Sequence, residues 1–291
     1  MSRGNCRQKD TVTRRLWILD YNGRLGNRLK LLTHVAASAR ENRLGVSNPA
    51  FWKYRKGFAA WKNNCTNFFP GHYPLRVPAR VERLERGILL TMVRAATAGG
   101  VAGCGWLRCP DDRKIVLEGT EFAQTLRNGP AHLFLWGYNF SAPAAVLAHG
   151  PDLRQLFRPA RPVPKSDRFT LALHIRRGDY RNFDGGRYFF GWDKYREWIR
   201  QALELWRERN PVCRVYSDEE ARRELRGGSG VEFADGDLFG DLFGMAACDV
   251  ILGPPSSFSD WAAWYGAADR LRLTETRQRL TREMVTKVEI P

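Results

Sequence analysis

His174, Arg176, Arg177 and Asp179 fall within six residues of one another, in the stretch LALHIRRGDY (171–180). Two guanidiniums and a carboxylate directly after an apolar run suit the gripping of an oxyanion, because arginine presents paired N–H groups that match phosphate oxygens. Four readings fit these residues alone: a structural ion-pair cluster, a nucleic-acid surface, a ligand clamp, or an adhesion tripeptide in Arg177-Gly178-Asp179. Two more polar stretches end apolar runs in the same half, Tyr216-Ser217-Asp218-Glu219 and Gly253-Pro254-Pro255-Ser256-Ser257. Ser256 and Ser257 stand before a helical pattern, where backbone N–H groups and the positive helix end favour phosphate. In the first half, Gly23-Arg24-Leu25-Gly26-Asn27 is a turn whose glycines let backbone approach an anion. It matches neither the dinucleotide nor the P-loop fingerprint.

Each piece also has an ordinary structural explanation. Arg176 and Asp179 make an ion pair at a strand end, His174 is a core histidine, and Ser256 and Asn27 are helix caps. Trp192, Trp198 and Trp206 are the buried stripe of a helix. The joint occurrence is what favours a site.

The elements that position these groups alternate. Leu16–Leu19 reads as a strand, and Leu29, Leu32, Val35, Ala36 and Ala39 recur at helical spacing. Residues 45–115 are expected to be helices and irregular chain, including a Gly-rich piece from Gly99 to Gly105. Strands are expected at Lys114–Glu118 and Ala131–Trp136. Residues 157–168 (FRPARPVPKSDR) have a linker's composition, which sets domains at 1–160 and 161–291. The second half then reads as strand Phe169–Ile175, a helix across 192–210 and strand Val212–Tyr216. A charged helix from about Glu219 and an edge strand Val231–Phe233 follow. Helix Leu238–Cys248, strand Asp249–Leu252 and helix Phe258–Gly266 complete it. This alternation predicts an α/β chain with doubly wound parallel sheets, whose ligands bind beyond the carboxyl ends of the strands. The polar stretches then line one edge of one sheet and form a nucleoside-diphosphate site.

Composition narrows the classes. The formal charge is +16, drawn from 38 Arg and 9 Lys. These positives are scattered rather than gathered in an arm, so nucleic acid is not the expected partner. Peripheral contact with an anionic membrane or acidic glycan fits better. The segment MSRGNCRQKD has no apolar h-region and no apolar stretch has transmembrane length, so a soluble, cytoplasmic chain is expected. Six cysteines are too sparse for a disulfide framework. Cys104 and Cys109 lack a second pair for zinc, and Cys213 and Cys248 read as core.

The motif His174-Ile175-Arg176-Arg177-Gly178-Asp179 resembles the H-x-R-R-x-D motif of the alpha-1,2-, alpha-1,6- and protein O-fucosyltransferases, and HIRRGDY looks most like the alpha-1,2 family. YNGRLGN is similar to that family's amino-terminal loop. DLFGMAACDVILGPPSSFSDWAAWYG is similar to its carboxyl-terminal segment. The resemblance implies a GT-B-like fold of two facing Rossmann-like domains, the first on the acceptor side and the second binding the GDP-sugar. It implies inverting transfer of L-fucose from GDP-fucose to a glycan hydroxyl, galactose O2 for the alpha-1,2 branch, with no metal and no cofactor beyond the donor.

Carried across, Arg176 would hold the β-phosphate, Arg177 and Asp179 would orient the cluster, and His174 would lie near the guanosine. Asp241 would read guanine, and Ser256, Ser257 and Phe258 would meet the phosphates. Gly23, Gly26 and Asn27 would close from the other domain, and Ser217 and Asp218 join the donor site. Asp184 has the spacing of a proposed base in the alpha-1,6 branch, with Asp20 as second candidate. Residues 49–69 have no family counterpart and are assigned to acceptor choice. Two departures, Pro254-Pro255 for the usual N-S-T turn and Asp260 for one tryptophan of a pair, bear on donor and acceptor preference. The alternatives are a GDP-sugar transferase of another sugar or linkage, and a non-catalytic basic module binding nucleic acid or anionic glycan.

Overall fold

The computed structural model describes residues 14–19, 23–61, 103–225 and 228–291. The chain forms two compact units, Met1–Ala160 and Arg161–Pro291. In the first, β1 (Arg15–Ile18), α1 (Leu25–Glu41) and β2 (Gly45–Ser47) are followed by 3-10 helices at Pro49–Gly57 and Ala59–Trp61. Next come β3 (Cys104–Arg108), β4 (Ile115–Val116), α2 (Gly119–Asn128), β5 (His132–Trp136), β6 (Phe140–Ser141) and α3 (Pro143–Leu156). The main sheet runs β2-β1-β5-β3, parallel throughout, and β4 pairs with β6. α1 buries the expected stripe of Leu29, Leu32, Val35, Ala36 and Ala39, and also Thr33, His34, Ala37 and Ser38. Its small residues let it pack closely, so it is covered on nearly every side. His34 Nδ1 accepts the Ala142 N–H at 3.0 Å and fixes the start of α3.

The stretch 45–61 departs from expectation. It begins with a strand, and its Phe51, Tyr54 and Phe58 are buried with ring centroids 5.6 and 5.5 Å apart. β3 also begins within the Gly-rich piece, after Gly103 at φ 84°, with Trp106 packed on Phe134 of β5; residues 62–102 lie outside the described residues. The proline segment is anchored at its start: Ala59 N–H bonds Arg158 O at 2.8 Å and Ala160 N–H bonds Gly57 O at 2.9 Å.

The second unit holds β7 (Thr170–Ile175), α4 (Trp192–Leu205), β8 (Val212–Ser217), α5 (Ala221–Leu225), β9 (Val231–Phe233) and α6 (Leu238–Ala246). It continues with β10 (Val250–Gly253), α7 (Ser257–Gly266), β11 (Asp269–Arg272) and β12 (Val285–Lys287). The sheet order is β12-β11-β10-β7-β8-β9. Only β12 is antiparallel. Counted from β7, this is the 3-2-1-4-5-6 order of a doubly wound sheet, with its switch point between β7 and β10. β11 and β12 were not legible as strands, since Asp269, Arg270, Arg272 and Lys287 make them charged. β7 is central and buried at all six positions. Against it pack Tyr195, Trp198, Ile199, Ala202 and Trp206, the face expected of that helix.

Register brings the polar stretches level. Leu173 pairs with Leu252, and His174 and Ile175 pair with Tyr216 and Ser217. Gly253 ends β10 at φ 156°, and a Cβ there would stand 2.5 Å from His174 O. Only glycine lets the two strands end this close together. We expect Gly253→Ala to destabilise the protein by about 2 kcal/mol, read by urea or thermal unfolding, with no loss of a ligand group.

Candidate active site

At the switch point β7 runs into Arg176, which grips Asp179 through Nε–Oδ1 at 3.0 Å and Nη2–Oδ2 at 2.7 Å. Its Nη1 donates to Ser256 Oγ at 3.1 Å, and its guanidinium lies 4.8 Å over the Tyr180 ring. Of its five N–H groups, two are outside these bonds. Arg177 is the more confined. Nε bonds Glu219 at 2.9 Å, Nη1 bonds Phe190 O, and Phe189 and Trp192 sandwich the guanidinium at 4.3 and 4.5 Å. A guanidinium held between two rings in that slot orients the chain. Asp218 accepts the N–H groups of Arg177 and Gly178 at 2.9 and 3.2 Å, and Ser217 Oγ accepts from Glu219 N–H at 3.1 Å. The end of β8 thus fixes the turn after β7.

Ser256 N-caps α7, with its hydroxyl accepting from Phe258 N–H at 3.3 Å. Ser257 is the first residue of that helix. Tyr180 OH donates to Pro255 O, tying the turn to the clamp from the other side. Behind it lies Arg270, which has no solvent exposure. All five of its N–H groups are engaged, with Asp260 (3.0 Å), Ile251 O (3.1 Å), Leu271 O (2.8 Å), Pro254 O (2.7 Å) and Ser259 Oγ (2.9 Å). Burial lowers its pKa to about 10, which leaves it cationic. The Pro254-Pro255 turn and Asp260, both departures in sequence, therefore meet at one cation.

His174 is buried, with Phe258 tilted over its ring at 5.8 Å and Nδ1 without a hydrogen-bond partner among the described residues. Burial first, then Arg270 and Arg176, lowers its pKa to about 3, so the ring is neutral. Asp241 stands in the first turn of α6, whose N-cap is Asp237. Burial and then Asp237 raise its pKa to about 6.

Asp184 is exposed in a left-handed turn at φ 49°. It follows the clamp in sequence but makes no bond to it. In the first unit, Gly23 has φ 74° two residues before α1, and a Cβ would lie 2.6 Å from Asn27 Nδ2. Gly23 O accepts from Arg28 Nε at 3.0 Å. Gly26 is buried in the first turn of α1, Asn27 is exposed, and Arg24 does not cap the helix with its side chain. Asp20 lies outside the described residues. The structure therefore brings together His174, Arg176, Arg177, Asp179, Ser217, Asp218, Ser256, Ser257 and Phe258 at one sheet edge.

No family model matches the sequence, and no curated protein does. Solved structures do match in fold. A point mutant of FUT1 from Arabidopsis thaliana in complex with GDP aligns at 12% identity over 93% of this chain and 72% of that one, with a TM-score of 0.52. The fucosyltransferase NodZ from Bradyrhizobium aligns at 12% identity over 94% and 98%, TM-score 0.50. POFUT1 in complex with GDP-fucose aligns at 11% over 89% and 95%, also at 0.50. The chain shares their fold. The α/β, GT-B-type class expected from sequence is the one found.

Tyr180 and Arg270 were given no role from sequence, Glu219 was read only as part of a polar strand end, and Trp192 only as part of a buried helical stripe. Arg270 carried a signal, since an arginine within the alternating stretch DRLRL (269–273) needs an acid wherever it faces the interior, and Asp260 stands ten residues earlier. Arg270→Met should destabilise by about 3–5 kcal/mol in unfolding experiments, and adding Asp260→Leu should recover part of that. His174 binds its proton far more readily when unfolded (6.5) than folded (about 3). Its contribution is full above about pH 6.5 and is lost progressively toward pH 3. The acid limb of the melting curve should therefore flatten in His174→Leu relative to the parent.

Proposed function

We propose that the protein is a fucosyltransferase that moves L-fucose from GDP-fucose to a glycan hydroxyl, galactose O2, with inversion and without a metal. The observation that carries this is Arg176, held by Asp179 and Ser256 at the switch point of a 3-2-1-4-5-6 sheet with two N–H groups to offer an anion. The fold shared with fucosyltransferases solved with GDP and GDP-fucose supports the choice of donor.

In this reading the diphosphate sits beyond β7 and β10, against Arg176 and the start of α7 near Ser256, Ser257 and Phe258. The acceptor oxygen bonds to the sugar C1 as the bond from C1 to the β-phosphate oxygen breaks on the opposite face. GDP leaves with that electron pair, and Arg176 and the helix end stabilise the charge. The hydroxyl proton passes to a base, for which Asp184 is the candidate. Asp241 accepts guanine N1–H and N2–H together, which adenine does not offer. His174 is neutral and offers Nδ1, which has no partner among the described residues, as an acceptor to the donor nucleotide. Gly23, Gly26 and Asn27 belong to the turn into α1 of the first unit. No helix among the described residues is long and apolar enough to cross a membrane, and peripheral contact through the basic surface is part of the proposal.

GDP should raise the melting temperature more than UDP, ADP or NAD; equal shifts would sink the donor assignment. Arg176→Ala should lower fucosyl transfer about 10²–10³-fold with little change in melting, and a chelator should leave the rate unchanged. Binding that survives Arg176→Ala and falls steeply with salt would point instead to a basic anion-binding module. Asp241 is ionised above about pH 6. GDP affinity should therefore rise from pH 5 to 7 and then level, and Asp241→Asn should bind weakly at every pH.

A further inference from the structure

The ring of Phe183 is 52% exposed. It stacks on Tyr180 with centroids 5.1 Å apart and planes at 24°. Tyr180 in turn carries the Arg176 guanidinium at 4.8 Å and is tied by its hydroxyl to Pro255. The three groups form a ladder, so Phe183 stands no more than two ring spacings from the clamp. A single exposed apolar side chain needs no explanation by itself. This one is different in its backing and in its backbone. Asp184, Gly185 and Gly186 follow it with φ of 49°, 64° and 79°. A non-glycine residue in that region costs about 1–2 kcal/mol, and the turn sets the exposed Asp184 carboxylate beside the exposed ring.

We propose that Phe183 is a stacking platform for the terminal pyranose of the acceptor, and that it favours a β-galactoside. This rests on the reading of fucosyl transfer to galactose and adds to it the side chain against which that sugar lies. An aromatic face carries partial negative charge and attracts polarised C–H groups. Galactose, with O4 axial, places the C–H bonds at positions 3, 4 and 5 on one face, which gives the ring a broad apolar patch. Stacking on that patch leaves the equatorial 2-hydroxyl at the rim. The neighbouring Asp184 carboxylate is there to accept a hydrogen bond from a sugar hydroxyl. A donor sugar linked to a diphosphate at Arg176 occupies about one ring's span, and a platform two ring spacings away meets the next ring.

The test compares lactose and N-acetyllactosamine with cellobiose by saturation-transfer NMR on the full chain, with and without GDP. Wild type should saturate galactose H3, H4 and H5 strongly and cellobiose weakly. Phe183→Ala should lose that signal and raise acceptor KM about tenfold while changing kcat far less, and Phe183→Trp should retain both. GDP affinity should be the same in all three proteins. Equal saturation in Phe183→Ala, equal signals from cellobiose, or no signal from either galactoside in wild type would overturn the platform. Absence of GDP binding would overturn the donor reading instead, and the disaccharide spectra without GDP report on the platform in either case.

Discussion

A fully buried guanidinium has to have every N–H taken, because each one left unpaired in a dry interior costs about 1–3 kcal/mol, more for a charged group. Arg270 meets that condition with acceptors from β10, β11, the proline turn and the first turn of α7. The requirement works as a geometric constraint. Pro254 O, Ser259 Oγ and Asp260 cannot move independently while they share one planar group. The position of Ser256, and through it of Arg176, follows from that sharing. A turn built from two prolines would otherwise have few ways to be held, since proline offers no N–H of its own.

The clamp is charge-balanced. Arg176, Arg177 and Arg270 are matched by Asp179, Glu219 and Asp260, with Asp218 beside them. The ion-pair and ligand-clamp readings of the motif are therefore not rivals, since Asp179 and Ser256 orient Arg176 and leave two of its N–H groups outside those bonds. Arg177 is set apart by its surroundings, with its guanidinium against Phe189 and Trp192 and bonded to Glu219 and Phe190 O. Attraction to an anion here depends on oriented donors rather than on net charge. The +16 of the whole chain is diffuse by comparison and bears on approach, not on the grip.

The periodic elements were legible because their patterns are strong. The buried face of α4 and the six-residue apolar β7 could be read from spacing alone. The motif positions followed, since parallel strands bring their carboxyl ends to one edge whatever the details. What sequence concealed was of two kinds. β11 and β12 carry charges because Arg270 is satisfied internally and Lys287 pairs with Asp269 across the edge, and no local pattern announces a buried pair. The second kind is division of labour within a motif. Nothing in RRGD distinguishes the arginine that is sandwiched from the one that is free, because Phe189, Phe190, Trp192 and Glu219 decide it from elsewhere. The aromatic segment from 49 illustrates the converse. Its rings invited a ligand role, and Phe51, Tyr54 and Phe58 are core.

The two halves of the site are built on different principles. His174, Arg176, Ser256 and Arg270 stand at strand ends and helix starts, locked by shared hydrogen bonds, where a shift of one would disturb the rest. Phe183 and Asp184 stand on a short loop held by positive φ and one ring contact. Loop residues on a rigid scaffold tolerate exchange far better than packed ones. In the proposed reading, a donor whose phosphates never change suits the first kind of construction. A variable acceptor suits the second, because a changed residue at 183 or 184 alters what stacks without loosening what grips. The cation–π contact from Arg176 through Tyr180 is the join between them. It lets an adaptable loop take its position from a fixed charge.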